Sequence, residues 1–446
     1  MLLQVLKEMI AQRKVLLLGF GREGRALYRR ITQVGGYAAL GIADQNPIAD
    51  APEQVVLHIG ADYQQAMNAY DLVFKSPGIV LEKDPGELSC RVTSLTELFL
   101  TAYRDRCIGI TGTKGKSTTS SLLYHVLQTA GVPSVLGGNI GIPMADLYER
   151  IAEDTVIVLE IGVHQLQYIT VSPKTAVFLN LYEEHLDHYG TFAYYAYCKE
   201  NIYRHQQPHD LLYCGEPSLP AAGDCAATVL RIAMDDRNAD VSLHNGNTVR
   251  SGSASMVLPE DMALTGLHNR LNCAVVYAVA RRLGVTDAAI AQGIRSFQPL
   301  PHRLEMLGEC EGIRWVNDSI STACETCIQA LNSLHDTDTV LIGGMDRGIC
   351  YTPLLTYLAE AAVPHIILMS DSGRRIAEEA RNFGTALTER ILLVKDLTEA
   401  VAAAKQITSK GKIALLSPAA ASYNEYHNFE ARGEHFKQLV FSSQAN

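Results

Sequence analysis

Long apolar runs are missing from this sequence. No segment offers about 18 uninterrupted apolar residues, the length that a membrane-spanning helix needs. The first ten residues include Lys7 and Glu8 within a short helical pattern, which is unlike a secretory signal peptide. Internal repeats and low-complexity segments are also lacking. With 47% apolar and 19% charged residues, the composition predicts a soluble cytoplasmic protein without membrane contact.

Basic residues are too few for a nucleic-acid-binding surface. Lysine and arginine total 38 against 48 acidic residues, a net charge of -10, so we expect no nucleic-acid partner. Anionic ligands would then be held by local basic groups and backbone amides. The ten cysteines are scattered, which indicates reduced thiols. Cys324 and Cys327 form a single CxxC without a second pair, so a zinc site is not favoured.

The length and the motif order predict a three-domain α/β protein. A chain of 446 residues has room for about three domains of ordinary size. We place a Rossmann-like domain at 1–105, a P-loop ATPase-like domain at 106–298 and a second Rossmann-like domain at 299–446. In the last domain, apolar runs at 340–342, 365–369 and 412–416 alternate with helical patterns, as in a doubly wound sheet.

Residues 109–119 resemble a nucleotide phosphate loop. An apolar strand precedes them and an apolar-periodic helix follows. Gly112 and Gly115 let backbone N–H groups converge on phosphate oxygens at the helix N-terminus. Lys116 would neutralise phosphate charge and the Ser117 hydroxyl would ligate Mg²⁺. Ile110 stands where the usual spacing has its first glycine, but the context still favours an ATP or GTP site.

A second glycine motif lies near the N-terminus. The strand at 14–18 runs into Gly19, Gly21 and Gly24, and Asp44 ends a second strand about twenty residues further on. Taken alone, this spacing favours an NAD or FAD enzyme. A further strand ends in the sharp turn of residues 76–78, which is a natural ligand-binding place at a sheet edge.

Two side chains after central strands are candidate metal ligands. Glu160 ends one strand and His185 follows the next. If both point toward the phosphate loop, a carboxylate and an imidazole could hold divalent cations between ATP oxygens and a reacting carboxylate.

Six ordered motifs give the chain a resemblance to the Mur ligases. They are residues 112–118, 137–143, 184–189, 266–272, 300–305 and 317–322, and the resemblance covers essentially the whole chain. Residues 18–24, 76–78, 416–422 and 428–433 are most similar to the branch that adds D-glutamate to UDP-N-acetylmuramoyl-L-alanine.

This resemblance implies an ATP-dependent amide ligase of peptidoglycan precursor synthesis. The ATP γ-phosphate activates a substrate carboxylate, and an amino acid's amine attacks the acyl phosphate, so catalysis rests on positioning and charge stabilisation. The implied catalytic residues are Lys116, Asn139, His185 and Lys199. The implied ligands of two Mg²⁺ ions are Ser117, Glu160, His185 and Lys199, the last as a carbamate (N6-carboxylysine).

The resemblance also assigns residues to each substrate. For ATP these are Gly112, Thr113, Lys114, Gly115, Lys116, Ser117, Thr118, Asn269, Asn272, Arg303 and Asp318. For the UDP substrate they are Gly19, Phe20, Gly21, Asp44, Ser76, Pro77, Gly78, Asn139 and Gln165, so the first glycine loop would hold UDP rather than NAD. For the incoming glutamate they are Thr322, Arg347, Ser422 and Phe429.

One segment departs from the family. After Glu160 this chain has residues 161–164, Ile-Gly-Val-His, where that branch usually carries two serines before the glutamine. A divergent paralogue using L-glutamate or another amino acid or acceptor is therefore the first alternative. A dinucleotide-dependent oxidoreductase and a non-catalytic, partner-dependent subunit are the others. We expect His164 to be a packed histidine and the protein to be a monomer.

Overall fold

The computed structural model describes residues 1–140, 143–183, 186–298 and 301–442. The chain divides into two compact units, Met1–Phe297 and Gln298–Asn446. The first unit contains two β-sheets and the second contains one. Strands alternate with helices through most of the chain, so the predicted α/β fold class is confirmed.

The first sheet is entirely parallel, with strand order β3-β2-β1-β4-β5. Its central strand consists almost wholly of buried apolar residues, as expected where helices cover both faces of a parallel sheet. Its strands are β1 (Lys14–Leu18), β2 (Ala39–Asp44), β3 (Val56–Ile59), β4 (Leu72–Lys75) and β5 (Arg91–Thr93), and its helices are α1 (Leu2–Ile10), α2 (Arg22–Val34) and α3 (Leu95–Tyr103).

The second sheet has nine strands in the order β14-β13-β12-β11-β10-β9-β6-β8-β7. Its parallel part carries the phosphate loop between β6 and α4. The strands of that part are β6 (Cys107–Thr111), β7 (Ser134–Gly138), β8 (Val156–Glu160), β9 (Thr175–Phe178), β10 (Leu211–Gly215) and β11 (Thr228–Met234). The helices among them are α4 (Lys116–Thr129), α5 (Met144–Leu147), α6 (Val163–Leu166), α7 (Leu186–Tyr189) and α8 (Phe192–Arg204).

An antiparallel meander completes this sheet at one edge. It follows β11 and pairs β12 with β13 and β13 with β14. Two helices then close the first unit. The elements are β12 (Val241–His244), β13 (Thr248–Ser251), β14 (Ala254–Val257), α9 (Leu267–Arg282) and α10 (Asp287–Ser296).

The third sheet has the order β15-β16-β20-β17-β18-β19 and is parallel except for the β15–β16 pair. Its three predicted strands are confirmed as β17, β18 and β20. The strands are β15 (Glu305–Cys310), β16 (Ile313–Asn317), β17 (Thr337–Gly343), β18 (His365–Met369), β19 (Ile391–Leu393) and β20 (Ile413–Leu416). The helices are α11 (Cys324–Ser333), α12 (Thr352–Glu360), α13 (Ser370–Ala380), α14 (Thr385–Thr388), α15 (Leu397–Ile407) and α16 (Phe429–Phe441).

Among the described residues, the helices are too short or too polar to cross a bilayer.

Candidate active site

The loop after β6 has the backbone of a phosphate cradle. Gly112 and Gly115 adopt φ values of +153° and +84°, which residues with a Cβ rarely adopt. Helix α4 begins directly after Gly115, at Lys116, so its free N–H groups and positive dipole end face the loop. The geometry of an anion site is therefore present in the protein itself.

The Lys116 ammonium lies over this loop. Its Nζ donates to the carbonyl oxygens of Gly112 at 3.0 Å and Thr113 at 2.9 Å. Ser117 follows in the first turn of α4 and is half-buried, whereas Thr118 is buried. Lys116 is thus placed where it could exchange backbone carbonyls for phosphate oxygens.

Residues beyond β9 hold the loop in shape. The Asn180 side chain accepts a hydrogen bond from the Lys114 amide at 2.8 Å and donates to the Lys114 carbonyl at 3.1 Å. The Thr113 hydroxyl accepts from the Tyr182 amide at 2.9 Å and lies 3.1 Å from the Tyr195 hydroxyl. Sequence reasoning missed these supports, although residues 180–203 form a conspicuously polar and aromatic segment.

Helix α9 brings two predicted ATP residues to the same loop. A Cβ on Gly115 would lie 3.1 Å from the Asn272 Oδ1, so that amide packs directly against the loop. Asn272 donates weakly to Asn269 Oδ1 at 3.4 Å, and Asn269 donates to the Thr265 carbonyl at 2.8 Å. Both amides are therefore within one hydrogen-bonded group beside the cradle.

Glu160 presents a free carboxylate oxygen near the phosphate loop. Strands β6 and β8 are neighbours, with Ile110 paired to Glu160. The Glu160 side chain is buried; its Oε1 accepts from Asn139 Nδ2 at 2.9 Å, whereas Oε2 is buried without a hydrogen-bond partner in the described part of the chain. A buried, unsatisfied carboxylate oxygen is costly and is the kind of ligand that Mg²⁺ prefers.

The predicted second metal ligand, His185, lies outside the described residues. Over residues 1–140, 143–183, 186–298 and 301–442, no group of three or more histidine, cysteine, aspartate or glutamate side chains could hold a metal. Glu160 Oε2 fits one ligand position of an oxygen-ligated cation that would take further ligands from phosphate and water.

Lys199 reaches the phosphate loop from α8. Its side chain is 1% exposed, and its Nζ donates to the Gly112 carbonyl at 2.6 Å and lies 5.1 Å from the centre of the Tyr195 ring. Lys199 and Lys116 therefore share the Gly112 carbonyl, which places both predicted catalytic lysines at one turn.

The first sheet gathers the predicted UDP residues at its carboxyl edge. The Ser76 hydroxyl donates to the Gly19 carbonyl at 3.1 Å, and Asp44 Oδ2 accepts from the Phe20 amide at 2.9 Å. Gly24 must be a glycine, because a Cβ there would lie 2.3 Å from the Gly19 carbonyl oxygen. Gly21, Pro77 and Gly78 belong to the same turns, so these predicted UDP-binding residues lie close together.

Gln165 connects the two sheets of the first unit. Its Oε1 accepts from the Gly162 amide at 3.1 Å, and its Nε2 donates to Glu23 Oε1 at 2.8 Å. Burial raises the pKa of Glu23 above its ordinary value, against the effects of Gln165, Arg22 and Lys75. Sequence reasoning missed Glu23, because a residue within a glycine loop gives no signal of a distant partner.

The departing segment after Glu160 is closely packed. Ile161 and Val163 are buried, and His164 Nδ1 lies 2.7 Å from the Tyr189 hydroxyl, with the two rings stacked at 5.4 Å between centroids. His164 also lies 4.4 Å, ring to ring, from His188. His164 is thus packed among aromatic rings, as expected from the sequence.

Asp318 and Ser422 are the buried residues among those predicted in the second unit. Asp318 is buried, accepts from Ser417 Oγ at 2.8 Å and from the Leu304 amide at 3.2 Å, and is influenced by the charge of Arg303. Burial raises the pKa of Asp318 to about 7. Buried Ser422 lines a cavity with Gly343, Gly344 and Arg432. Thr322 and Arg347 are exposed, and Phe429 is half-buried at the start of α16.

Comparison with known proteins gives consistent matches. Residues 110–280 match the Mur ligase middle domain, and residues 302–420 match the Mur ligase, glutamate ligase domain. The chain is 33% identical to the UDP-N-acetylmuramoylalanine--D-glutamate ligase of Pelotomaculum thermopropionicum, covering 97% of this chain and 98% of that protein. It is 35% identical to the UDP-N-acetylmuramoyl-L-alanine--L-glutamate ligase of Salinispora tropica, covering 96% and 97%.

Solved structures show the same fold. A MurF structure from Acinetobacter baumannii superposes with a TM-score of 0.62 at 17% identity and 98% coverage of both chains. MurF from Thermotoga maritima, solved in complex with ADP, gives 0.61 at 17% identity, with 98% of this chain and 97% of that chain covered. At this identity the likeness establishes the fold alone.

Proposed function

Because the chain belongs to the Mur ligase family, we propose that it is an ATP-dependent, ADP-forming ligase joining glutamate to UDP-N-acetylmuramoyl-L-alanine. The observation that carries this proposal is the nearly full-length similarity to two relatives whose names share that acceptor. The phosphate loop and its two lysines support the ATP-dependent step. The reaction would supply peptidoglycan precursors in the cytoplasm, and we propose that the protein acts as a monomer.

The chemistry needs charge stabilisation at the point of phosphoryl transfer. The loop amides and Lys116 would hold the β- and γ-phosphates, and the Ser117 hydroxyl and Glu160 Oε2 would ligate Mg²⁺, which neutralises phosphate charge when bound. Asn139 donates to Glu160 through a 2.9 Å hydrogen bond, and its amide would also contact the acyl-phosphate region of the acceptor. His185 would be a further ligand of Mg²⁺. Gly112, Thr113, Lys114, Gly115 and Thr118 complete the loop around ATP.

We divide the remaining roles among three domains, 1–105, 106–298 and 299–446. The turns at the carboxyl edge of the first sheet would hold UDP, with Gln165 contributing from α6. Asn269, Asn272, Arg303 and Asp318 are proposed to contact the adenine, phosphates and ribose of ATP. The glutamate pocket would be formed by Thr322, Arg347, Ser422 and Phe429, where the guanidinium of Arg347 can pair bidentately with a carboxylate.

Two stereoisomers of glutamate are open to this chain. We propose D-glutamate as the leading substrate. The 35% identity to a ligase named for L-glutamate supports L-glutamate as the alternative. The dinucleotide-dependent oxidoreductase receives no support from the relatives described above, which are named as ligases.

We further propose that Lys199 is carbamylated. Carbon dioxide adds to its neutral amine with release of a proton, which would convert a cation beside the phosphates into an oxygen ligand for a second Mg²⁺. The hydrogen bond from its Nζ to the Gly112 carbonyl, which Lys116 also contacts, supports this role. Lys199→Ala should lose turnover and regain part of it with added short carboxylic acids. Unchanged activity in that variant would remove Lys199 from the site.

The central experiment measures phosphate release from ATP with UDP-N-acetylmuramoyl-L-alanine, Mg²⁺ and either D- or L-glutamate. We expect turnover with one isomer strongly preferred. Lys174→Met, on the exposed surface of the same unit, is the control for charge loss. Absence of turnover with both isomers would overturn the proposed function, and release with another amino acid would reassign its substrate.

A further inference from the structure

Lys75 is a buried lysine to which no role has been given. It is the last residue of β4 and directly precedes the turn of residues 76–78. Its side chain is 5% exposed, although lysine is almost never buried without a partner of opposite charge. Its Nζ donates to the carbonyl oxygens of Ser76 at 3.3 Å and Pro77 at 3.2 Å, and lies 5.5 Å from the centre of the Tyr168 ring.

The described residues do not neutralise this ammonium by direct contact. Among them, no carboxylate oxygen lies within 4 Å of the Lys75 Nζ. Glu23 attracts it from further away, but the Glu23 carboxylate is hydrogen-bonded by Gln165. Burial lowers the pKa of Lys75 to about 8, which reflects incomplete compensation of its charge. A buried cation in this situation is costly unless an anion joins it.

Lys75 adjoins residues of two predicted substrate regions. On one side are the Gly19 and Ser76 turns at the carboxyl edge of the first sheet, joined by a 3.1 Å hydrogen bond. On the other side is the segment of α6 with Gln165, whose partner Glu23 acts electrostatically on Lys75. The Lys75 ammonium is therefore close to groups of both regions, and one of its three N–H donors remains beyond the two carbonyl bonds.

We propose that Lys75 binds an anionic group of the nucleotide-linked substrate, either its pyrophosphate or its terminal carboxylate. This inference rests on the proposed function, since it takes its ligand from the same site. The anion replaces the missing countercharge, and the ammonium forms a charge-assisted hydrogen bond, which is roughly twice as strong as a neutral one. The backbone carbonyls of Ser76 and Pro77 hold the ammonium in place before the substrate arrives.

Calorimetric titration of the full-length protein tests this role. Lys75→Met removes the charge, and Lys75→Gln keeps an amide that can still donate to both turn carbonyls. We expect both variants to bind UDP-N-acetylmuramoyl-L-alanine about tenfold to a hundredfold more weakly, with a reduced dependence on salt. Lys14→Met, at the exposed amino end of the neighbouring strand β1, is the matched control and should bind as wild type.

A second ligand identifies the anion. UDP-N-acetylglucosamine carries the pyrophosphate without the carboxylate, so equal weakening for both ligands indicates a pyrophosphate contact. Weakening confined to UDP-N-acetylmuramoyl-L-alanine indicates a carboxylate contact. Unchanged dissociation constants in a folded Lys75→Gln variant would overturn the inference while wild-type binding left the proposed function standing. Failure of the wild type to bind either UDP compound would instead overturn the proposed function.

Discussion

The two oxygens of the Glu160 carboxylate have different environments, and this difference allows a test. Oε1 is used by Asn139, whereas buried Oε2 accepts nothing from the described residues. Glu160→Gln keeps the shape but offers a cation a neutral ligand. We expect phosphate release to fall by about 100-fold, because the lost ligand is charged. The apparent Mg²⁺ requirement should rise while the Tm stays within a few degrees, roughly the effect of a 1 kcal/mol change.

Glu153→Gln provides the comparison for that experiment. Glu153 is exposed in the turn before β8, so its neutralisation should leave both turnover and Mg²⁺ dependence unchanged. A Glu160→Gln enzyme with wild-type Mg²⁺ dependence would show that Oε2 binds no cation.

Asp318 links the stability of the second unit to pH. Its pKa is raised to about 7 by burial, from an ordinary value near 3.8. The folded state therefore holds a proton that the unfolded chain releases, and stability is lost as pH rises from about 4 to 7. Asp318→Asn should remove this loss, which amounts to about 3 kcal/mol between pH 5 and pH 7, so its Tm relative to wild type should be higher by roughly 5–10 °C at pH 8 than at pH 5.

Thermal melts of both proteins between pH 5 and pH 8 measure this difference. Asp371→Asn, an exposed carboxylate on α13 of the same unit, should show no pH-dependent gain. If the difference in Tm between Asp318→Asn and wild type were the same at every pH, the raised pKa of Asp318 would be contradicted.

Residues in continuous motifs could be predicted, whereas residues joined only in space could not. Lys116 and Ser117 follow from the glycine spacing, and the structure places them at the start of α4. Glu23 contacts Gln165 of α6 across 142 positions of sequence, and Lys75 contacts Tyr168, just after α6, across 93 positions. No local sequence pattern identifies such a pair, so these contacts could be found only from the folded structure.

At the scale of elements, the register of β7 against β8 positions Glu160. Gly138 pairs with Glu160 at a φ of +103°, and a Cβ on Gly138 would lie 2.2 Å from the Glu160 carbonyl oxygen. Gly138→Ala must therefore separate the two strand ends. We expect a loss of at least about 2 kcal/mol in the free energy of unfolding, together with loss of phosphate release.

Chemical denaturation measures the stability change, with Gly131→Ala as the matched variant. Gly131 also has a positive φ, of +72°, but a Cβ there meets nothing within 4 Å. Its replacement should cost only about 1 kcal/mol from backbone strain and leave turnover intact. Equal losses in the two variants would show that the contact with Glu160 is unimportant.

Strands with continuous apolar sequences were predictable, and edge strands were not. β1, β6, β17 and β20 are almost entirely buried, and each contains a continuous run of apolar residues. β3 and β19 lie at sheet edges, and most of their side chains are half or fully exposed. β15 also lies at an edge, where its exposed residues mask the strand pattern. β3 and β19 are apolar in sequence but only four and three residues long, so they give too short a pattern for a strand to be assigned.

At the scale of the whole molecule, each compact unit has its own buried core. The first unit contains the phosphate loop, and the second contains Asp318 and Ser422. A ligand stabilises the unit that binds it, because binding to the folded form alone shifts the unfolding equilibrium. Calorimetric unfolding of the intact chain can therefore report which unit holds the nucleotide.

We expect MgADP to raise the unfolding transition of the first unit by about 5 °C at a concentration 100 times its dissociation constant, where binding contributes about 2.7 kcal/mol. Lys116→Met should abolish most of this increase, because we propose that the ammonium that now donates to Gly112 and Thr113 binds phosphate. Lys174→Met, with an exposed side chain in the same unit, should keep the full increase.

A full MgADP effect in Lys116→Met would show that the nucleotide binds elsewhere. An increase confined to the second unit would move the principal nucleotide contacts to Arg303 and Asp318.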